Sequence, residues 1–168
     1  SDNFFHFYPN KEDTTSVIGR GAFTIFEDSK NNLWFGSEAG LNCFIRDDST
    51  FVYYQEDNGL PNNAVKGILE DDHGNLWLST NRGIARMYDG INKPVNPVFD
   101  NFGTSDGLQG NEFNRRAAYE DSKGRMYFGG TNGFNMFHPD SIKDNRPAHP
   151  IVLTDFLVFN KQIDLYSN

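Results

Sequence analysis

Cysteine occurs once in this chain, at Cys43, so no intramolecular disulfide is available and the residue reads as a small buried hydrophobe. No apolar stretch approaches the roughly 18 residues of a membrane span, and no secretory pattern opens the sequence. Basic residues are outnumbered by acids, 15 to 23, and lie scattered rather than clustered. Nucleic acid and an anionic membrane surface are excluded as partners on that ground, because both need a basic footprint. The chemistry motifs are missing too. There is no Gly-x-Ser-x-Gly elbow, no phosphate loop and no Cys–His pairing with a recognisable context. The four histidines, His6, His73, His138 and His149, sit in unlike contexts without metal-ligand spacing. Acids at Asp28, Asp71, Asp72 and Asp121 lack the order of an EF-hand loop. No metal and no cofactor is expected.

What is present is turn chemistry and aromatic rings, with sixteen Gly and sixteen Phe. Three runs state one phrase: EDSKNNLWFGSEAGLNCF from Glu27, EDDHGNLWLSTNRGIARM from Glu70 and EDSKGRMYFGGTNGFNMF from Glu120. Asp28, Asp71 and Asp121 correspond, as do Trp34, Trp77 and Tyr127, and Gly40, Gly83 and Gly133. The offsets are 43 and 50 residues, within the range of propeller blades.

Each unit reads as a meander. AFTIFE (22–27), VKGILE (65–70) and RRAAYE (115–120) are first strands. The DSKNN, DDHGN and DSKGR that follow are tight turns, where Asp and Asn bond their own backbone and Gly accepts positive φ. LWFGS, LWLST and MYFGG are second strands; LNCFIR, IARMY and FNMF are third strands. FVYYQ (51–55) and VFDNFG (98–103) supply a fourth strand to the first two units. Four short antiparallel strands at this spacing predict an all-β chain, a β-propeller fragment of about three four-stranded antiparallel blades. The recurring Asp reads as a turn cap, and the recurring aromatic as the filler of the wedge between blades.

GILEDDHGNLWLSTNRGIARM resembles the repeat of the two-component regulator propeller family, from the extracytoplasmic sensor region of Bacteroidetes-type hybrid histidine kinases. YEDSKGRMYFGGTNGFNMFHPDSI resembles the last such repeat, and PIVLTDFLVFNKQI (150–163) the opening of the immunoglobulin-like domain that follows the propellers. The resemblance implies a division into the last strand of a preceding blade and its link (1–21), blades at 22–63, 64–112 and 113–149, and the start of the immunoglobulin-like domain (150–168). It also implies a periplasmic part of an inner-membrane protein, sensing polysaccharide breakdown products, with no membrane contact by this segment. The phosphoacceptor and nucleotide-binding boxes of a kinase are absent from this stretch, so no catalysis is expected of it. SDNFFHFYPN opens abruptly, as though cut from something longer, with FFHFY (4–8) as a fourth strand without its blade.

Subtracting what repeats leaves the links that enter each innermost strand: residues 9–21, 56–66 and 105–116. They share Gly-Leu at 59–60 and 107–108 and otherwise differ. Their ends carry Arg20, then Asn62, Asn63 and Lys66, then Asn111, Glu112, Asn114, Arg115 and Arg116. Amides and guanidinium groups suit hydroxyl-rich or anionic glycans, since each can make paired hydrogen bonds, and an oligosaccharide ligand is what the resemblance implies. The alternative is that Asn and Gly shape the loops and the Arg side chains pair with neighbouring acids.

Three functions follow: a sensory binding module, a structural scaffold, or a propeller lyase or hydrolase using Glu112 with Asp106. Three blades alone also leave exposed sheet edges, which predicts self-association into a dimer, by a donated strand 4–8. IVLTDFLVFN within the same chain is the other candidate for the missing edge.

Overall fold

The computed structural model describes residues 4–93 and 95–143, together with two short strands nearer the C-terminus. The first blade comprises β1 (Thr24–Glu27), β2 (Leu33–Gly36), β3 (Leu41–Ile45) and β4 (Thr50–Tyr54), hydrogen-bonded in chain order. The second comprises β5 (Gly67–Glu70), β6 (Leu76–Thr80), β7 (Gly83–Met87) and β8 (Phe99–Phe102), again in chain order. The third holds β9 (Phe113–Glu120), β10 (Met126–Gly130) and β11 (Gly133–Phe137). Every pairing is antiparallel. The fold is therefore all-β, an open sector of a propeller.

The first hairpin of each blade is built identically, and the Asp at its start explains why. Asp28 Oδ1 accepts from the N–H of Lys30 and Asn32 at 2.9 and 2.8 Å, and Oδ2 accepts from the Trp34 indole at 2.8 Å. Asp71 repeats this with His73, Asn75 and Trp77, the last at 2.8 Å. Asp121 repeats it with Lys123, Arg125 and the Tyr127 hydroxyl at 3.0 Å. The fourth turn residue takes a left-handed conformation each time: Asn31 (φ 61), Gly74 (φ 76) and Gly124 (φ 72). One carboxylate thus closes the turn and fixes the aromatic that the blade packs with.

Strand alternation gives each blade a forward face, toward the next blade in the chain, and a rear face. Trp34, Leu41, Cys43 and Tyr54 on the first forward face pack on Ile68, Leu76, Leu78, Ala85 and Met87 on the second rear face. Leu69, Trp77 and Ile84 then pack on Met126, Phe128 and Phe137 of the third blade, with Phe113. Trp34 and Trp77 are buried in these equivalent wedges, as expected. Tyr127 holds the same position on a forward face with no further blade against it among the described residues, and is half-buried. Glycine lets adjacent blades approach: a Cβ on Gly36 would lie 2.6 Å from the Val65 carbonyl oxygen, and one on Gly67 2.8 Å from the Ala118 Cβ.

One expectation meets a different outcome, and others are met in part or lie outside the described residues. Phe4–Tyr8 forms no strand, since a strand needs a neighbouring ladder and none lies beside it among the described residues. Only Phe7 is seated, edge-on to Phe44 and Phe51 with centroids 5.1 and 5.5 Å apart. The third blade has three strands among the described residues rather than four. Most of the stretch read as the start of an immunoglobulin-like domain (150–168), and of the end of the last blade (144–149), lies outside the described residues. Its described part, β12 (Leu157–Val158), pairs with β13 (Lys161–Gln162) in a separate hairpin and adds nothing to β11.

Candidate ligand-binding site

The innermost strands β1, β5 and β9 lie side by side, and the links deliver the chain to their starts. Both described blade-to-blade links use one turn. Glu56–Asn58 and Thr104–Asp106 are single 3-10 turns, closed by Gly59 (φ 112) and Gly107 (φ 96). The Asn58 and Asp106 side chains accept from the N–H of Gln55 and Gly103, both at 2.8 Å. The following Leu60 is buried and Leu108 half-buried. The shared Gly-Leu is therefore loop architecture.

The candidate residues divide into two groups. Asn62 and Asn63 are held within their own link: Asn63 Oδ1 accepts from the Glu56 N–H at 2.7 Å, and Glu56 Oε1 accepts from Asn63 N–H at 3.0 Å and Asn62 Nδ2 at 3.3 Å. Asn114 donates its amide to the Gly130 carbonyl at 3.2 Å. Asn111 takes part through its backbone, accepting from Gly83 N–H at 2.7 Å. Arg20 stands apart, its N–H donating to Glu38 Oε1 at 2.5 Å beside the rear face of the first blade. That contact holds the Glu38 carboxyl below its ordinary value.

Lys66, Glu112, Arg115 and Arg116 lie where the chain enters β5 and β9. The Lys66 ammonium stands 3.5 Å from Glu112, its side chain 12% exposed against 58% for the carboxylate. Arg116 N–H donates to the Lys66 carbonyl at 3.0 Å, which ties the start of β9 to the start of β5. Arg116 itself has φ 59, beside a register shift in the β9–β10 ladder, and so turns its side chain away from the strand's alternation. It lines a groove of about 360 Å³ along the inner strands with Ile25, Phe26, Ile68 and Ala118. The Arg115 guanidinium lies 3.6 Å from the centre of the Phe23 ring, so a third-blade cation stacks on a first-blade aromatic across the entry to β5.

β5 and β9 thus carry cations where they begin and carboxylates where they end. Glu70 and Glu120 close β5 and β9 and line a second recess of about 370 Å³ with Ser29 and Asp72. Burial first, then the neighbouring Asp72 and Glu70, push the Glu120 carboxyl above its ordinary value. Glu70 is engaged by Ser29, whose N–H and hydroxyl donate at 2.7 and 2.5 Å. No group of three or more His, Cys, Asp and Glu among the described residues is placed to hold a metal ion. Asp106, one member of the carboxylate pair considered for acid–base chemistry, is spent on its own turn, and Glu112 faces Lys66. Phe23 was not singled out from the sequence, because the first link was ended at residue 21, although Phe23 stands in register with Lys66 and Arg116, which close the other two links.

An open β-propeller sector with a cationic entrance to its inner strands is the class that fold and site define. The sequence profile of the two-component regulator propeller family matches residues 16–39 and 59–82. Histidine kinase P4 of Formosa agariphila is 32% identical over 97% of this chain and 15% of its own length. The extracellular domain of a hybrid two-component system from B. thetaiotaomicron superposes with a TM-score of 0.67 at 27% identity, covering 89% of this chain and 21% of that one. The extracellular domain of a one-component system from the same organism gives 0.64 at 21% identity, over 79% and 19%, which bears on the fold alone. The chain carries repeats of the two-component regulator propeller family. It spans about a fifth of the length of those solved structures and less of the curated kinase. None of its described helices is long and apolar enough to cross a membrane.

Proposed function

We propose that the chain is a non-catalytic sector of the periplasmic sensor region of an inner-membrane hybrid histidine kinase, and that an oligosaccharide from polysaccharide breakdown is the ligand. The observation that carries this reading is the Arg115–Phe23 stack, with the Lys66–Glu112 pair where the chain enters β5 and β9. A guanidinium held flat on an aromatic ring keeps its N–H edge free, and that edge, like a carboxylate, takes hydroxyls in pairs. These groups come from three different blades, so a ligand held by all of them favours one blade arrangement over another. Such a difference in free energy is what a signal across the membrane needs. Calorimetric titration of the complete sensor region with an oligosaccharide panel tests it. Arg115→Ala and Lys66→Ala each weaken binding by at least about tenfold, or ~1.4 kcal/mol, with the melting temperature little changed. Binding indifferent to both substitutions would overturn the assignment of the site.

A scaffold role is favoured by a different observation. Asn62, Asn63 and Asn114 are all occupied by contacts within the blades and links. On that reading the same titration leaves ligand response intact when Arg115 and Arg116 are replaced.

A further inference from the structure

Three arginines of the sector are matched with acids: Arg46 with Glu27, Arg86 with Asp100 and Arg125 with Asp121. Arg115 and Arg116 are exposed, and among the described residues no carboxylate pairs with either. In a chain of net charge −8, the entry to β5 and β9 thus sets three cations, Lys66, Arg115 and Arg116, beside the acid Glu112. Both guanidinium groups are held by the fold. Arg115 stacks on Phe23 of the first blade, which occupies its face and leaves its N–H edge free. Arg116 keeps a left-handed backbone, φ 59, that a side chain disfavours, beside a register shift that aims it into the groove with Phe26, Ile68 and Ala118. Strain of this kind persists only where the surrounding structure holds it, and it gathers at ligand sites.

Lys66 and Glu112 are unequal partners. Their ion pair is 3.5 Å long, and the lysine side chain is 12% exposed against 58% for the glutamate. A desolvated ammonium needs an anion, whereas an exposed carboxylate leaves its partner at little cost. Glu112 is therefore the replaceable half of the pair. The same stretch of backbone carries the unpaired cations, since Arg116 N–H donates to the Lys66 carbonyl at 3.0 Å and Arg115 is its neighbour in the chain.

We infer that the site selects oligosaccharides bearing an anionic group, a carboxylate or a sulfate ester, and that this group displaces Glu112 from Lys66. The free edges of Arg115 and Arg116 hold the same ligand, each taking oxygens in pairs. This rests on an oligosaccharide being the ligand, and adds the charge that ligand carries. Glu112 is then an internal stand-in, which keeps Lys66 paired while the site is empty and yields to a better-placed anion. A neutral sugar offers hydroxyls only, and hydrogen bonds to an ionised acceptor are roughly twice as strong as those between neutral groups. A neutral sugar also leaves Glu112 where it is, and so cannot recruit Lys66.

Calorimetric titration of the complete sensor region with length-matched neutral, uronate-bearing and sulfate-bearing oligosaccharides tests this. An acidic set is expected to bind roughly tenfold tighter than the neutral set, and the tighter of the two acidic sets names the anion. The preference narrows from about 0.05 to about 0.5 M salt, as screening weakens exposed charges. That measurement needs no variant. Arg116→Gln and Lys66→Gln each lower the ratio of acidic to neutral affinity roughly tenfold. Glu112→Gln raises it roughly threefold, because Lys66 no longer has an internal partner to give up. Thermal denaturation confirms that each variant is folded. Equal affinity for neutral and acidic sets, or a preference indifferent to all three substitutions, would overturn the inference and leave the oligosaccharide reading standing. Weaker acidic binding in Glu112→Gln would overturn the displacement. No binding of any set overturns both.

Discussion

The Asp71 carboxylate accepts the Trp77 indole N–H at 2.8 Å while closing the hairpin turn between them, so one side chain sets both the turn and the wedge between blades. Four donors converge on that carboxylate: two backbone N–H groups, the Asn75 amide at 3.0 Å and the indole. Asp71 and Trp77 are 6% and 1% exposed, so water cannot replace what is lost.

Asp71→Ala is therefore expected to cost about 3 kcal/mol, through buried donors left without an acceptor. Urea denaturation followed by tryptophan fluorescence measures it. Asp121→Ala costs less, because Tyr127 is half-buried on an open face and its hydroxyl reaches water. Equal losses at the two sites would show that the turn alone, and not the aromatic it holds, carries the effect.

Two neighbouring acids are expected to respond to pH in opposite senses. The Arg125 guanidinium first of all, with the Lys123 and Arg125 N–H groups and the Tyr127 hydroxyl, holds the Asp121 carboxyl well below its ordinary value of 3.8. Its contribution is present above about pH 4 and is lost as pH falls toward the lowered value. Glu120 is raised above 4.5 by burial and by Asp72, Glu70 and other acids nearby. Its contribution is present below 4.5 and is lost as pH rises through the raised value. Glu120→Gln should thus stabilise the chain at pH 7, with the gain fading below pH 4.5, and Asp121→Asn should lose more at pH 7 than at pH 3. Denaturation midpoints across that range decide it; a Glu120→Gln effect independent of pH would contradict the assignment.

The blades were legible because their signals are local. Asp28 and Trp34 stand six residues apart in one hairpin, and a turn repeated three times cannot be mistaken for a helix. Phe4–Tyr8 was read as a fourth strand, yet forms no ladder among the described residues, because pairing depends on a neighbour that periodicity does not reveal. The site was half legible for the same reason. Removing the repeats exposed Lys66, Glu112, Arg115 and Arg116, whose juxtaposition comes from their places at the starts of β5 and β9. It missed Phe23, an apolar residue in register with Lys66 and Arg116, which meets Arg115 across a blade. Asn62 and Asn63 looked equally available, and only three-dimensional pairing with Glu56 distinguishes them.

One departure from the repeat lies in the second wedge. Where the first blade pairs Cys43 with Val52, the second pairs Arg86 with Asp100. The guanidinium lies 2.6 Å from the carboxylate and 5.3 Å from the Trp77 ring centre, with the two side chains only 6% and 12% exposed. Burial makes such a pair costly to break but not costly to replace. Arg86→Cys alone should lose about 3 kcal/mol, by leaving a desolvated carboxylate without its cation. Arg86→Cys with Asp100→Val, which installs the pair from the first blade, should recover most of that. A double-mutant cycle in urea measures the coupling, and strict additivity would contradict the finding that the pair acts as one unit.

The third-strand glycines provide a comparison within one chain. Gly83 and Gly133 both hold left-handed φ values, +91 and +105. An alanine there pays the conformational penalty in either case, of roughly 1 to 2 kcal/mol. Only at Gly83 does the new Cβ also meet backbone, 2.0 Å from the Phe102 carbonyl oxygen, a contact that no rotamer change relieves because the atom belongs to a paired strand. Gly83→Ala must therefore push β8 off β7 or twist the turn, and is expected to cost at least about 3 kcal/mol as overpacking is added to strain. Gly133→Ala should cost only the conformational part when measured on dilute, monomeric chain. Thermal denaturation of the two variants side by side gives the comparison. If both fall by the same amount, the clash at Gly83 is relieved by a movement of β8 that the packing of Phe99 and Phe102 ought to resist.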